Sequence, residues 1–277
     1  MLKLSAGLIG SHIQKTRLPA ALKIMCDAAG WDLDFHLIDT AKRPDFDFAA
    51  RLSRAKFEGW RGMTITHPWK SDARTYVGPG MQTETAHLGS ANTILFGPPD
   101  RGFNTDYTGF LSAFRAFNHT PGRVVMMGAG GVAQALAPAL IKLGATELTI
   151  CDLALPKAQD LANNCGARLI TPEQAPDSIA AADGLVNATP LGMTDYPGTA
   201  FDPAWLGPQT WAFDAVYTPT DTMFLRDANL AGLACLTGFD LFKAMAIRTF
   251  EAYTGVEVDQ TAILPTLDAL RPTDRRP

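Results

Sequence analysis

An α/β fold with parallel sheets is what this sequence predicts, and three observations carry the prediction. Through residues 4–70, short apolar runs of strand length alternate with amphipathic helical stretches, the alternation that builds strand–helix–strand units. Residues 124–143 then open with four apolar residues, turn through Gly128, Ala129, Gly130 and Gly131, and continue as an Ala/Leu-rich segment with helical spacing. Residues 147–151 (ELTIC) read as a further strand, and Asp152 stands at its end, 24 residues after Gly128.

Strand, glycine turn, helix, strand and acid in that order form the fingerprint of a dinucleotide site. Gly128 permits the tight turn and Gly130 lets the backbone approach a pyrophosphate. The helix start that follows the glycines offers free N–H groups and a positive dipole end. An apolar stretch as long as 124–141 would also suit a membrane span, but three glycines, Gln134 and Pro138 argue against one. The spacing of Asp152 is close to the roughly 20 residues at which an acid takes the adenosine ribose hydroxyls. Its carboxylate accepts from the ribose 2′-OH of NAD and repels the 2′-phosphate of NADP. Residues 153–157 supply no arginine to hold that phosphate, so NAD is the expected cofactor. Pro138 removes a backbone bond, worth about 3 kcal/mol in an isolated helix, and a kink is expected there.

The whole chain sets limits around this site. Its 277 residues suit one large or two medium domains, and 47% hydrophobic with 19% charged residues is the balance of a folded globular protein. A net charge of −4 gives no reason to expect nucleic acid as a partner. Four cysteines without a Cys-x-x-Cys spacing suggest reduced thiols and a cytoplasmic location. Residues 1–15 lack a long apolar core and a cleavage site, so no secretion signal and no membrane anchoring are expected. Monomer and homodimer both stay open. The polar, proline-rich tail 271–277 is expected to fray.

Taken in order, strands are expected at 4–10, 33–38 and 62–66, with helices at 19–30 and 46–57 between them, giving a parallel sheet. His67-Pro68-Trp69-Lys70 follows the third strand. Proline suits a first helical turn, so Lys70 is expected at a helix start on the carboxyl edge of the sheet, where open α/β sheets hold ligands. Residues 89–96 read as a strand with Asn92 inside it. A turn-rich stretch carrying Asn104 and Asp106 leads into a helix over 107–117, and Pro121-Gly122 makes a natural boundary. Beyond it, strands are expected at 167–170, 184–188 and 211–216, then helices at 241–253 and 259–270.

Lys70 and Asp106 form the chemical pair of interest. Oxidising a secondary alcohol with NAD removes a hydride and a hydroxyl proton; a lysine can pass the proton, and a nearby carboxylate can orient the lysine. A surface lysine and a turn aspartate capping the helix at Tyr107 would give the same letters. The five histidines show no metal spacing, so no metal is expected, and no Gly-x-Ser-x-Gly elbow is present.

Gly62-Met-Thr-Ile-Thr-His-Pro-Trp-Lys70, Gly89-Ser-Ala-Asn-Thr93, Asn104-Thr-Asp106, Gly128-Ala-Gly-Gly131, Asn187-Ala-Thr-Pro-Leu-Gly-Met193 and Val216-Tyr-Thr-Pro219 recur in this order in the shikimate dehydrogenase family, which the chain resembles from about Gly7 to Gly255. Gly7-Leu-Ile-Gly10 and Asp152 look most like its NAD-using quinate/shikimate branch. The resemblance implies an N-terminal α/β substrate domain (1–106), a Rossmann-type doubly wound NAD-binding domain (107–240) and C-terminal helices (241–277) returning to the first domain. It implies NAD-dependent interconversion of a shikimate- or quinate-like cyclic hydroxy acid and its 3-dehydro ketone, with Lys70 and Asp106 catalytic. Substrate contacts would come from Thr16, Arg17, Thr66, Asn92, Tyr217 and the position of Met245. Cofactor contacts would come from Gly128, Ala129, Gly130, Gly131, Val132, Asp152, Asn187, Thr189, Val216 and Gly238.

Three positions depart from the family pattern. The two hydroxyl residues that bind the substrate carboxylate appear as Thr16 and Leu18, the strand asparagine is Thr64, and the glutamine of the C-terminal helix is Met245. Leucine and methionine cannot make those hydrogen bonds, each worth about 1.5–3 kcal/mol to a charged group. Either Arg17 or Lys15 takes over the carboxylate, or the substrate differs. A different lysine-bearing Rossmann enzyme, such as a methylenetetrahydrofolate dehydrogenase, fits the Asn104–Asp106 and Asn187–Met193 motifs less well. A non-catalytic NAD-binding sensor is the remaining alternative.

Overall fold

The computed structural model describes residues 2–272; the expected tail beyond Pro272 lies outside the described residues. The chain forms two compact units, one of residues 2–109 together with Met245–Leu270, the other Phe110–Ala244 with Arg271 and Pro272. No helix among the described residues is long and apolar enough to cross a membrane.

The first unit begins with β1 (Leu2–Gly10), α1 (Leu18–Ala29), β2 (Trp31–Asp39), α2 (Phe48–Phe57), β3 (Gly62–Ile65), α3 (Lys70–Val77), β4 (Thr93–Leu95) and β5 (Arg101–Phe103), and leads into α4 (Thr105–Phe117). Its sheet has the order β2-β1-β3-β4-β5. β1 pairs in parallel with both β2 and β3, whereas β4 runs antiparallel to β3 and to β5. The all-parallel sheet expected from the alternation is therefore a mixed one. Only residues 96–100 join β4 to β5, far fewer than the dozen or so a parallel crossover needs. The helix ends follow local chemistry: Asp47 accepts from Ala50 N at 2.9 Å to cap α2, and α1 closes on Gly30 at φ 72°.

The second unit contains β6 (Arg123–Met127), α5 (Ala133–Lys142), β7 (Glu147–Cys151), α6 (Leu155–Cys165), β8 (Arg168–Ile170), α7 (Ala175–Ala180), β9 (Gly184–Asn187), β10 (Trp211–Asp214), α8 (Met223–Leu230) and β11 (Ala234–Thr237). Its sheet is parallel throughout, in the order β11-β10-β9-β6-β7-β8. This is a doubly wound Rossmann sheet whose strand order reverses between β6 and β9. Trp211 is fully buried on β10, and Gly184 opposite it has no room for a side chain: a Cβ there would lie 2.0 Å from the indole. α5 runs unbroken through Pro138, which simply lacks the N–H that would pair with the Gln134 carbonyl.

α9 (Gly238–Thr254) and α10 (Gln260–Asp268) complete the described chain. The part of α9 after Met245 belongs to the first unit, where the buried Tyr253 lies across β3. A Cβ at Gly62 would lie 2.6 Å from the Tyr253 ring, and the phenol shares a 2.7 Å hydrogen bond with the Thr64 hydroxyl. The threonine standing for the family's asparagine is thus taken up by an internal contact.

Candidate functional site

Lys70 is the first residue of α3, just beyond the carboxyl end of β3. Pro68 lies ahead of the helix rather than in its first turn. The Lys70 Nζ donates to Asp106 Oδ2 over 2.6 Å, with 19% and 15% of the two side chains exposed. α4 begins at Thr105, two residues earlier than its apolar pattern predicts, so Asp106 sits in its first turn. Asn104 supplies the cap: its Oδ1 accepts from Tyr107 N at 3.1 Å, while its Nδ2 donates to the Ser90 carbonyl and hydroxyl at 3.2 and 3.0 Å. The capping role open to Asp106 in the sequence therefore belongs to Asn104, and both carboxylate oxygens of Asp106 are left for other work.

Asn92 lies just ahead of β4, because the strand is shorter than 89–96. Its side chain is buried, and Oδ1 accepts from Thr105 N (2.7 Å), Thr105 Oγ1 (3.1 Å) and Thr93 Oγ1 (3.2 Å). Three donors on the carbonyl fix the amide plane and leave Nδ2 as its donor. Thr105 and Thr249 share a 3.0 Å hydroxyl contact, and Thr249 Oγ1 donates to the Met245 carbonyl at 2.9 Å. Met245 is held tightly, since a Cβ at Gly109 would lie 2.8 Å from its backbone nitrogen. Thr249 is not singled out by the sequence, and Asn104 and Thr105 stand there only as part of a motif, without a role; Asn104, three residues ahead of Tyr107, carries a readable cap signal.

The loop before α1 divides in character. Thr16 Oγ1 accepts from Leu18 N at 3.3 Å, while Thr16 and Arg17 remain half-buried. Leu18 opens α1 with its side chain 2% exposed, packed into the core. Thr66 follows β3, and its methyl group fills the space that a Cβ on Gly10 would need, at 2.2 Å.

In the second unit Gly128 has φ 105°, and a Cβ on it would meet the Ala188 carbonyl at 2.7 Å. Gly130 and Gly131 are exposed, and a Cβ at either would meet nothing. Their openness is that of a cradle for a group arriving from outside. Val132 lies directly before α5, without a side-chain cap. Asp152 is drawn back toward the turn: Oδ2 accepts from Ala129 N at 2.6 Å and Oδ1 from Ala154 N at 2.7 Å. Two backbone donors fix the carboxylate in place, and its remaining lone pairs stay available to a ribose diol.

At the ends of β9 and β10 the side chains form a closed network. Asn187 Oδ1 accepts from the Thr189 N–H at 3.0 Å and the Thr189 hydroxyl at 2.7 Å; Nδ2 donates to the Leu191 carbonyl and to Asp214. Asp214, fully buried, also accepts from Val216 N and the Thr222 hydroxyl, and burial pushes its carboxyl up to about 6. Tyr217 stacks on Phe242 with centroids 5.4 Å apart, and Gly238 approaches so closely that a Cβ would lie 2.6 Å from the Ala215 carbonyl. Asp214 and Thr222 are not singled out by the sequence, where Asp214 falls within the strand expected at 211–216. No cluster of three or more metal-ligating side chains occurs among the described residues.

Comparison with known proteins places the chain among relatives by sequence and by structure. The family model described as shikimate dehydrogenase substrate binding domain matches residues 8–94, and that described as shikimate / quinate 5-dehydrogenase matches residues 112–191. The chain is 36% identical to a quinate/shikimate dehydrogenase (NAD(+)) of Corynebacterium efficiens, covering 91% of this chain and 93% of that one. It superposes on the quinate dehydrogenase of Corynebacterium glutamicum in complex with NAD with a TM-score of 0.90 at 33% identity, covering 97% and 100% of the two chains. The shikimate 5-dehydrogenase of Thermus thermophilus in complex with NADP(H) and shikimate gives 0.85 at 28% identity, covering 97% and 99%.

Proposed function

The chain belongs to the shikimate dehydrogenase family, and from that premise we propose that it is an NAD-dependent oxidoreductase of a shikimate- or quinate-like cyclic hydroxy acid, interconverting the alcohol and its 3-dehydro ketone. The observation that carries the reading is the 2.6 Å contact between Lys70 and an Asp106 free of capping duty. The first unit serves as the substrate-binding and catalytic part and the second as the dinucleotide-binding part.

The second unit suits the cofactor. Gly130 and Gly131 leave the cradle a pyrophosphate needs, and the pinned Asp152 accepts from the ribose 2′-OH of NAD while repelling the 2′-phosphate of NADP. That choice matters because the relatives include an NAD complex and an NADP(H) complex. Held at Gly130, Gly131 and Asp152, NAD would supply the hydride acceptor for the carbinol carbon, and NADH the donor in the reverse direction. Lys70 handles the proton: as an ammonium it donates to the carbonyl oxygen during reduction, and the path reverses during oxidation. Asp106 accepts from Nζ and keeps it aimed. Asn92, its carbonyl saturated, offers Nδ2 to a substrate hydroxyl; Thr16, Arg17 and Thr66 complete the substrate contacts of the first unit.

A second reading concerns the substrate. Leu18 is packed into the core, so the family's carboxylate-binding pair is incomplete, and Met245 has only a thioether to offer where the family presents a glutamine to the substrate. A cyclic hydroxy acid held through Arg17, or a related polyol without the acid, suits these positions. A sensor without chemistry leaves the Lys70–Asp106 pair without a use. The test is NADH formation with shikimate, quinate, further cyclic hydroxy acids and cyclic polyols. Turnover of an acid, reduced by Arg17→Ala through a higher KM, supports the first reading; turnover of polyols alone supports the second.

A further inference from the structure

We infer that Asp214 is a positioning residue for the nicotinamide half of the dinucleotide, acting through the two loops that its carboxylate ties together. The inference rests on the reading of the second unit as an NAD-binding sheet. Strand order reverses between β6 and β9, so the pyrophosphate lies at that point and the adenosine half runs toward β7, where Asp152 stands. The other half of the dinucleotide falls to the carboxyl ends of β9 and β10, the strands that end in Asn187 and Asp214.

Everything that shapes those two ends converges on one carboxylate. Oδ1 accepts from Asn187 Nδ2 at 2.9 Å and from Val216 N at 2.9 Å, and Oδ2 accepts from Thr222 Oγ1 at 2.7 Å. Asn187 in turn holds Thr189 and Leu191, and Thr222 caps α8 by accepting from Leu225 N at 3.2 Å. Gly192, at φ 104°, folds the same loop back, so that a Cβ there would lie 3.3 Å from the Thr222 methyl and 4.0 Å from Asp214 Oδ2. Three chain segments therefore meet on an acid that is 0% exposed and has no lysine or arginine among its hydrogen-bond partners. An unpaired buried carboxylate is a poor way to fill space, since an apolar side chain would do so without desolvating a charge. Its use lies in the hydrogen bonds, which set the paths of residues 187–193 and 214–219.

The experiment compares NAD with ADP, which probes only the adenosine and pyrophosphate contacts, by calorimetric or fluorescence titration. Thr222→Val removes the donor to Oδ2, and a bond to a charged group of this kind corresponds to roughly tenfold in a binding constant. The expected result is a Kd for NAD raised about tenfold with ADP held within twofold, and recovery in Thr222→Ser, which keeps the hydroxyl. Asp214→Asn, which keeps the shape and removes the charge, is expected to show the same split and serves should Thr222→Val not fold. An unchanged Kd for NAD, or equal weakening of NAD and ADP, overturns the inference, because a purely structural role moves neither or both. A wild-type chain that binds no NAD overturns the cofactor reading, and the inference falls with it.

Discussion

Asp106 is held by Lys70 across 2.6 Å, while the start of its own helix is capped by Asn104 two residues before it. The acid is thereby freed from a structural task and committed to the lysine. Asp106→Asn keeps the volume and loses the charged acceptor. It is expected to lower kcat by about 10²-fold, the low end for a positioned proton-transfer group, with KM for NAD unchanged. Steady-state kinetics check this, and an unaltered kcat would leave Asp106 a structural partner only.

Asp152 makes the cofactor choice testable on its own. Asp152→Ala removes both the acceptor for the ribose 2′-OH and the charge that repels a 2′-phosphate. Loss of a hydrogen bond to a charged group corresponds to about tenfold or more in affinity, so KM for NAD should rise by that amount. The preference for NAD over NADP should narrow or reverse. Equal effects on both cofactors would place the discrimination elsewhere.

Asp214 gives the stability a pH dependence of definite sign. Burial raises its carboxyl from 3.8 to about 6, so the folded chain binds this proton more tightly than the unfolded one. The contribution of this group is fully present below pH 3.8 and is lost as the pH rises to about 6. Denaturant midpoints across that window should show a falling component in the wild type that Asp214→Asn removes. A slope identical in the two proteins would assign it to other groups.

Thr64 and Tyr253 share a hydrogen bond inside the first unit, with both side chains buried. Tyr253→Phe leaves the threonine hydroxyl unpaired, a loss of about 1–3 kcal/mol. Thr64→Val combined with Tyr253→Phe should recover part of that loss, because the two positions are in direct contact. Urea unfolding of the single and double variants measures both; strict additivity would contradict the contact.

Much of this was legible in the letters, and what was not has physical reasons. The glycine turn, Asp152 and the strands around them are local patterns, and the Rossmann sheet followed from them. The antiparallel β4 was hidden because a strand of three residues carries no direction of its own; the short link at residues 96–100 decides it. The site was readable as residue types but not as partners. That Asn104 and not Asp106 caps α4 depends on where the helix begins, the least local of its properties. Asp214 and Thr222 escaped notice because their meaning arises only when two strand ends and a helix start meet. Leu18 showed as a departure from the family motif, yet only the fold reveals that it is a core residue.

The most direct test of the central claim is absorbance of NADH with wild type and Lys70→Ala, each supplied with NAD and either shikimate or quinate, alongside titration of NAD binding. The account predicts turnover by the wild type, a loss of at least about 10²-fold in Lys70→Ala, and NAD affinity within twofold between them. Turnover that survives in Lys70→Ala, or a wild type that binds NAD and oxidises neither acid, would contradict it.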